Sequence, residues 1–587
     1  MYRLSILLTL LMLFTATASA DVVFRDATYL LPTHVGAVGA VAWGDVNNDG
    51  RPDLLVGGQQ AVEGKLYLNM NDSFVDATVA YGIQPYMLRR VRSAEFVDYD
   101  QDGLLDLFLL TNDPYGLRLL RQNRSGQFQF VPVLDDEVSA QVRAAAWVDV
   151  DDDGRLDLVL SNTTTAQSPM TVLAQFPTEF VPMRDNPWET DMTHVCAISV
   201  MDFDRDGDLD VFLGYNDGAP PRLYRKNGPS YVDWSERFCF RPAEGMFGAA
   251  WLDFNNDLRL DMFLPGPEKL DRMYEGVWMY NTNSLWMAKT NAFLMDLASD
   301  CRDAHPVDAN MDGWPDLFLI NQTTQGCKLL INQEGNNNWT NMTAASGLPT
   351  GEAEIPPERV LAAAWCDYDG DGDPDLALAQ ASSGVRLYRN DVRSRHEYIK
   401  ITLCGPLSST PLQGCNVLMS FERCKQIATT TPVTRTAGGD LASLTLVNRT
   451  LSKSDRVELL VQWPNGINQH YTLSDLTLSE ANVLHQPLTA SRAGENIPVQ
   501  PTLTDYSISP NPFNPTTTIS FTLSEAVDVE LRLYNLMGQE VATLVQGNYE
   551  AGAHRVAFNG GELPSGIYFS RLTAGPVTEL KRMLLAK

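Results

Sequence analysis

The sequence predicts an all-β fold: a seven-bladed propeller followed by two small β domains, the last an immunoglobulin-like β-sandwich. Three observations predict it. An acidic segment with Asp or Asn at positions 1, 3 and 5 recurs seven times, at intervals of 51 to 59 residues. Each copy runs straight into an apolar, strand-like stretch, such as "DLALA" at Asp375 to Ala379. From about His396 the acidic repeat stops, and apolar or alternating runs separated by Gly, Pro and Ser take over.

The first element is an export signal. Arg3 supplies a positive start, "LSILLTLLMLF" an apolar stretch, and "ASA" (Ala18 to Ala20) a small-residue cleavage site. Residues 1–20 are therefore read as a signal peptide, with the mature chain expected from Asp21. A membrane span needs about 20 apolar residues, and this run is too short. At 587 residues the chain exceeds a single core. Its formal charge of −29 argues against nucleic acid and anionic membrane surfaces as partners.

The repeat occupies residues 21–393. Its seven copies begin at Asp45, Asp98, Asp149, Asp202, Asp253, Asp308 and Asp367, the last reading "DYDGDGDPDLAL". Positions 1, 3, 5 and 9 hold Asp45, Asn47, Asp49 and Asp53 in the first copy and Asp98, Asp100, Asp102 and Asp106 in the second. They hold Asp149, Asp151, Asp153 and Asp157 in the third, and Asp202, Asp204, Asp206 and Asp210 in the fourth. The fifth has Asp253, Asn255, Asp257 and Asp261; the sixth, Asp308, Asn310, Asp312 and Asp316. The seventh has Asp367, Asp369, Asp371 and Asp375.

Carboxylates crowded in this way repel one another and raise each other's pKa values unless a cation sits among them. Alternate oxygen-bearing residues, with Gly at position 6 for the sharp turn, wrap a hard cation. Calcium takes six to eight oxygens at about 2.3–2.6 Å, whereas magnesium demands a tighter octahedron and is the weaker candidate. The expectation is up to seven structural Ca2+ ions. In the fifth copy Leu258 replaces the Gly, which would strain a left-handed turn and leave that site distorted or empty. An EF-hand would need Glu at position 12 and flanking helices. Position 12 here is Val56, Leu109, Leu160, Leu213, Leu264, Leu319 or Leu378. Positions 10 to 12 are apolar, so the strand after each loop is expected to be buried on both faces.

Small or apolar runs such as "AVAWGD" and "AAAWCD" precede the loops, and variants of "LYLN" follow them. Several copies then show "FVDAT", "YVDWS" or "WTNMT", giving about four strands per unit, as in a propeller blade. The chain opens on the trailing motif "FRDAT" (Phe24 to Thr28), while the last copy stops at "LYRN" (Leu387 to Asn390). The two halves complement each other, so the N-terminal strand is expected to complete the seventh unit and remove an exposed edge. These motifs resemble FG-GAP/VCBS repeats. That resemblance implies a seven-bladed, calcium-carrying propeller similar to the integrin alpha-subunit head.

Residues 394–488 contain "YIKITL", "CNVLMSF", "ASLTLVN" and "RVELLVQWPNG". The last resembles the WPxG signature of the ASPIC/UnbV domain of cartilage acidic protein-like chains, which implies a small all-β fold; the usual FGLG turn is not recognisable near "TLVNRT". Trp463 is read as a core residue rather than a binding aromatic. Residues 489–505, polar with Pro and Gly, form a linker. In residues 506–587, "NPFNP", "LYNLMGQEV", "GIYF" and the terminal "KRMLLAK" resemble the type A C-terminal sorting domain of the type IX secretion system. The resemblance implies export through the outer membrane of a Gram-negative cell, with the secretion machinery as partner.

Eight cysteines suit an oxidising compartment without forming a disulfide scaffold. Cys415 with Cys424, and Cys301 with Cys327, are candidate pairs, with buried thiols the equal alternative. No catalytic constellation is assignable. His34, His194 and His305 precede metal loops and are read as structural. A polysaccharide lyase, the main enzymatic alternative, would need a basic, His- or Arg-lined channel, of which the sequence gives little sign. The expected function is adhesion or ligand binding, with a glycan or a protein as target.

Overall fold

In the computed structural model the described residues run from Val22 to Leu585. Outside the description lie 1–21, 33–35, 113–115, 135–141, 163–169, most of 184–194, 241–247, 266–271, 278–284 and 290–300. Also outside it are 350–358, 393–397, 405–415, 430–442 apart from Gly438 and Gly439, 448–456, 463–467, 473–480 and 486–502, with shorter gaps elsewhere. The signal peptide, Leu258, His34, His194, Cys415, Trp463 and most of the linker therefore fall outside the described residues. The chain divides into two units, Met1–Pro487 and Leu488–Lys587.

Seven antiparallel sheets follow one another through the first unit, among the described residues. The first is built from Val38–Gly44, Asp53–Gly58, Lys65–Asn69 and Phe74–Asp76. Five more repeat its order, with leading strands Val91–Val97, Val142–Val148, Val195–Met201, Ala250–Leu252 and Cys301–Val307. The seventh contains Val360–Cys366, Asp375–Gln380 and Gly384–Asn390, and takes Phe24–Asp26 as its fourth strand. In that pairing Phe24 lies opposite Asn390 and Asp26 opposite Tyr388.

The second strand of each sheet explains the packing. Asp53–Gly58, Asp106–Thr111, Asp210–Tyr215, Asp316–Asn321 and Asp375–Gln380 are buried at every residue. Both faces are therefore covered by neighbouring sheets. Separate apolar clusters join the second sheet to the third, the third to the fourth, the fourth to the fifth, the fifth to the sixth and the sixth to the seventh. One further cluster joins the seventh, first and second, so the cycle of contacts closes. At that seam Trp43 stacks on Tyr368, with ring centroids 6.0 Å apart and planes within 5°. Burying an aromatic of this kind contributes about 1.5–3 kcal/mol.

Leading strands of neighbouring sheets touch one another: Val38–Gly44 meets both Val91–Val97 and Val360–Cys366. Buried small residues, among them Ala40, Ala42, Ala144, Ala362 and Ala364, permit that approach. In six leading strands the pairing slips by one residue near the start. Gly39, Arg92, Arg143, Cys196, Arg302 and Leu361 are the extra residues of these bulges, which bend a strand and re-aim a side chain. The first sheet also gains a fifth strand, Gly438–Gly439, parallel to Val41–Ala42.

The remainder of the first unit forms two small sheets. One joins Tyr398–Cys404 to Ser443–Val447 and Ala481–His485; the other orders Cys424–Thr429, Asn416–Phe421, Val457–Gln462 and Asn468–Thr472. Cys301 and Cys327, a candidate disulfide on sequence grounds, are both buried thiols. They lie on the first and third strands of one sheet, about 9–10 Å apart at strand spacing, beyond the reach of an S–S bridge. The Sγ of Cys301 donates to Asp303 O and that of Cys327 to Pro349 O.

The second unit packs a three-stranded sheet, Leu503–Ser509, Thr516–Leu523 and Gly552–Asn559, with a four-stranded one. The latter holds Glu540–Tyr549, Val527–Asn535, Gly566–Ala574 and Val577–Leu585. Burial alternates along Thr516–Leu523, and Ile519, Phe521 and Leu523 join Leu531, Leu533, Leu572 and Met583 in one core. The "NPFNP" motif pins the final strand: Phe513 N donates to Leu584 O at 2.9 Å, and Leu584 N to Asn511 Oδ1 at 2.8 Å.

Candidate metal centres

Each acidic loop joins the leading strand of a sheet to the second, and its aspartates have distinct duties. The first-position carboxylate folds the turn: Asp45 accepts from Asp49 N at 3.0 Å and from Gly50 N at 2.7 Å. Asp149 and Asp308 repeat the pattern. The ninth-position carboxylate, at the start of the second strand, ties the loop to the third strand. Asp53 Oδ2 accepts from Val46 N at 3.0 Å, while its Oδ1 accepts from Asn69 N at 2.8 Å on the third strand. Asp157, Asp210, Asp316 and Asp375 make the same two bonds in their sheets. Gly50 has a φ of 82° and nothing within 4 Å of where a Cβ would stand, so backbone conformation rather than space calls for Gly there.

The carboxylates converge. Asp98, Asp100 and Asp106 each bring one oxygen within 4.8 Å of the others, as do Asp149, Asp151 and Asp157, then Asp202, Asp204 and Asp206, then Asp367, Asp369 and Asp371. Oxygens bound to one calcium ion at 2.3–2.6 Å lie no more than about 5 Å apart, so this spacing fits such an ion. Asp100 Oδ1, Asp106 Oδ2 and Asp204 Oδ1 are buried and accept no hydrogen bond, which leaves them available as ligands. Desolvation, reinforced by neighbouring carboxylates, pushes Asp53 up to about 8, Asp106 to about 9, Asp157 to about 7 and Asp371 to about 7. Asp210, Asp316 and Asp375 lie well above the usual carboxylate range for the same reason. A divalent cation relieves this repulsion.

Arginines supply part of the compensation. Arg51, Arg155 and Arg259, at position 7 of their loops, pair with the position-5 carboxylates Asp49, Asp153 and Asp257. In the second and fourth sheets the guanidinium comes from the third strand instead. Arg121 pairs with Asp100 at 2.6 Å and Asp102 at 3.0 Å, and Arg225 with Asp204 and Asp206. Asp253, Asn255 and Asp257 are drawn into the fifth turn by the same backbone bonds as elsewhere.

Comparison with known families decides what these repeats are. Residues 45–109, 98–160, 202–264 and 308–378 match the FG-GAP-like repeat, and residues 507–586 match the secretion system C-terminal sorting domain. The chain carries both. No curated protein matches it. Among solved structures it is similar to the Dos1 propeller at 11% identity, covering 62% of this chain and 93% of that one with a TM-score of 0.33. It is also similar to the Malassezia sympodialis allergen Mala s 1, at 12% identity, 51% and 94% coverage and a TM-score of 0.29. A third similarity is to dimeric latent PorU from Porphyromonas gingivalis, at 10% identity, 78% and 36% coverage and a TM-score of 0.14. The sorting domain implies secretion or surface location and contact with the type IX machinery. Among the described residues no helix is long and apolar enough to cross a membrane.

Two devices of the FG-GAP-like repeats escape the sequence reading. In five of the sheets a residue at or next to the end of the "LYLN" run reaches back to the preceding sheet's loop. Asn69 Nδ2 donates to Tyr368 O at 2.7 Å, Gln122 Nε2 to Val46 O at 2.8 Å, and Lys226 Nζ to Asp149 O at 3.0 Å. Asn332 donates to Phe254 O at 2.7 Å and Asn390 to Ala309 O at 2.8 Å. The polar residue recurring at the end of that run was the available signal. The "DAT" element is a backbone lock: Asp76 Oδ1 accepts from the amide and hydroxyl of Thr78, whose Oγ1 accepts from Leu66 N at 3.0 Å. Of the three histidines singled out, His305 is buried with Nε2 2.9 Å from Asp303 Oδ2.

Proposed function

We propose that this chain is a secreted or cell-surface calcium-binding protein that mediates adhesion or ligand binding and is exported by type IX secretion from a Gram-negative cell. In this reading the seven packed sheets act as one seven-bladed propeller with up to seven structural Ca2+ ions. Residues 394–488 act as an ASPIC/UnbV-like accessory β domain, and residues 506–587 as an immunoglobulin-like sorting sandwich. The observation that carries the reading is the convergence of loop carboxylates with unbonded buried oxygens, Asp100 Oδ1 and Asp106 Oδ2 above all.

The ion would be held by positions 1, 3, 5 and 9 of each loop, and its role is to neutralise charge so that turn and strands pack. Extracellular modules hold calcium with dissociation constants of about 10⁻⁴–10⁻³ M, a range suited to a protein outside the cell. We assign no catalytic role to these centres. Binding to glycan and matrix-protein arrays, set beside a polysaccharide depolymerisation assay, tests the reading. Depolymerisation by the purified chain would replace it with the lyase alternative.

A further inference from the structure

The ninth-position carboxylates are joined from sheet to sheet by an unbroken run of hydrogen bonds, three to each step. In the fifth loop Phe254 N donates to Asp261 Oδ2 at 3.2 Å, and Phe254 O accepts from Asn332 Nδ2 of the sixth sheet at 2.7 Å. The backbone amide of that same Asn332 donates to Asp316 Oδ1 at 2.8 Å. Asp316 Oδ2 in turn accepts from Ala309 N, Ala309 O accepts from Asn390 of the seventh sheet, and Asn390 N donates to Asp375. From Asp375 the run passes through Tyr368 and Asn69 to Asp53. From Asp53 it passes through Val46 and Gln122 to Asp106. The carboxylates of the fifth, sixth, seventh, first and second sheets are thus linked in series, across the seam where the cycle closes. Lys226 repeats the device between the fourth sheet and the third loop, with a cation as donor.

Asn69, Gln122, Asn332, Asn390 and the five linked carboxylates are each no more than 1% exposed. Water cannot replace a lost partner there, so each bond is costly to break, and bonds in series inside a protein polarise one another. Every carboxylate in the run faces two ways. It is the position-9 member of its own loop's candidate metal set, and it accepts the backbone amide of an Asn or Gln whose side chain grips the loop before it. A divalent cation favours the ionised carboxylate, and an ionised acceptor holds an N–H more strongly than a neutral one. A filled loop therefore fixes the backbone of that Asn or Gln. The fixed backbone aims the side chain at the position-2 carbonyl of the preceding loop and holds that loop in its folded turn.

We propose that Asn69, Gln122, Asn332 and Asn390 are positioning residues that couple neighbouring calcium centres, so that filling one loop favours filling the next. The inference rests on the calcium-binding reading above and adds regulation to it: the centres load as a linked series rather than one by one. Coupling of this kind is reciprocal and shifts affinity by about fivefold or more. The consequence is that the cycle of sheets takes its rigid form over a narrow range of calcium concentration.

The test is native mass spectrometry of the full mature chain, counting calcium ions per molecule across a calcium titration. At half-saturation, chains carrying almost none or almost all of their ions should be several-fold more abundant than independent binding gives. Independent sites of unequal affinity only narrow that distribution, so they cannot imitate the result. Asn69→Leu and Asn390→Leu, which remove the donor at nearly constant size, should narrow it while the number of ions at saturating calcium stays the same. Asn69→Gln should keep the breadth, since Gln122 makes this bond in the second sheet. Thr78→Val, which breaks the lock on Leu66 and Asp76 outside the run, should also keep it and so separates coupling from lost stability. A narrow distribution in the wild-type chain, which needs no variant to fold, would overturn the coupling and leave the calcium centres standing. Breadth unchanged in both Leu variants would do the same. A chain that retains no ion at any calcium concentration would overturn the calcium reading and the coupling with it.

Discussion

The side-chain amide of Asn69 donates to the backbone carbonyl of Tyr368, 299 positions away, at 2.7 Å. This bond runs from the third strand of the first sheet to the loop of the seventh, beside the stacked rings of Trp43 and Tyr368. Asn69→Ala strands a buried carbonyl, at a cost of about 1–3 kcal/mol. Urea unfolding measures it, with Asn390→Ala as the comparison, because Asn390 makes the same bond to Ala309 within the chain order. Comparable losses are expected. A loss below about 0.5 kcal/mol at Asn69, the scale of an ordinary surface change, would show that the seam does not depend on it.

Asp106→Asn should change sign with the metal. Asp106 Oδ1 accepts from Gln122 N at 2.7 Å, a bond the amide oxygen can keep, while Oδ2 has no hydrogen bond. Without calcium the substitution removes a carboxylate that burial pushes up to about 9, so Tm should rise. With calcium it removes a ligand, so Tm should fall. Thermal melts in chelator and in calcium check both signs.

The same shifts set a pH dependence. Asp53, Asp106 and Asp157 are raised to about 8, 9 and 7 from 3.8. Between those limits the folded chain binds more protons than the unfolded one, so stability falls as pH rises. In chelator, denaturation midpoints should drop steadily from about pH 5 to pH 9. Calcium, which favours the ionised carboxylates, should flatten or reverse that slope. A slope unchanged by calcium would place these aspartates outside any metal centre.

Much of the repeat was legible because its acidic residues recur at fixed spacing. Asp98, Asp100 and Asp106 stand out in one dimension and meet in three. The pairing of Phe24–Asp26 with Gly384–Asn390 was legible from the phase of the repeat, since a trailing motif with no start must complete an end with no trailing strand. Asn69 was visible as a recurrent letter but not as a link, because its partner belongs to another copy. The bulges at Arg92, Arg143 and Arg302 were illegible for a different reason. A one-residue slip in pairing leaves no mark in the sequence of the strand itself, so nothing in the pattern shows which side chain is re-aimed.

Removal of residues 488–587 should separate export from binding. The second unit has its own core around Phe521, Leu531 and Met583, and it contains the sorting domain. A chain ending at Pro487 should melt with the same calcium dependence yet fail to reach the surface of cells that export the full chain. Cell fractionation with surface proteolysis reads this out. Undiminished surface display would contradict the assignment of the tail.

The most direct measurement is the melting temperature of the mature protein across a calcium titration, after exhaustive chelation at constant ionic strength. Clustered carboxylates held together by divalent ions predict a large rise in Tm with calcium, several ions bound per chain by mass spectrometry, and a clearly smaller rise with magnesium. A Tm unmoved by chelation and calcium, with no ion bound, would contradict the account.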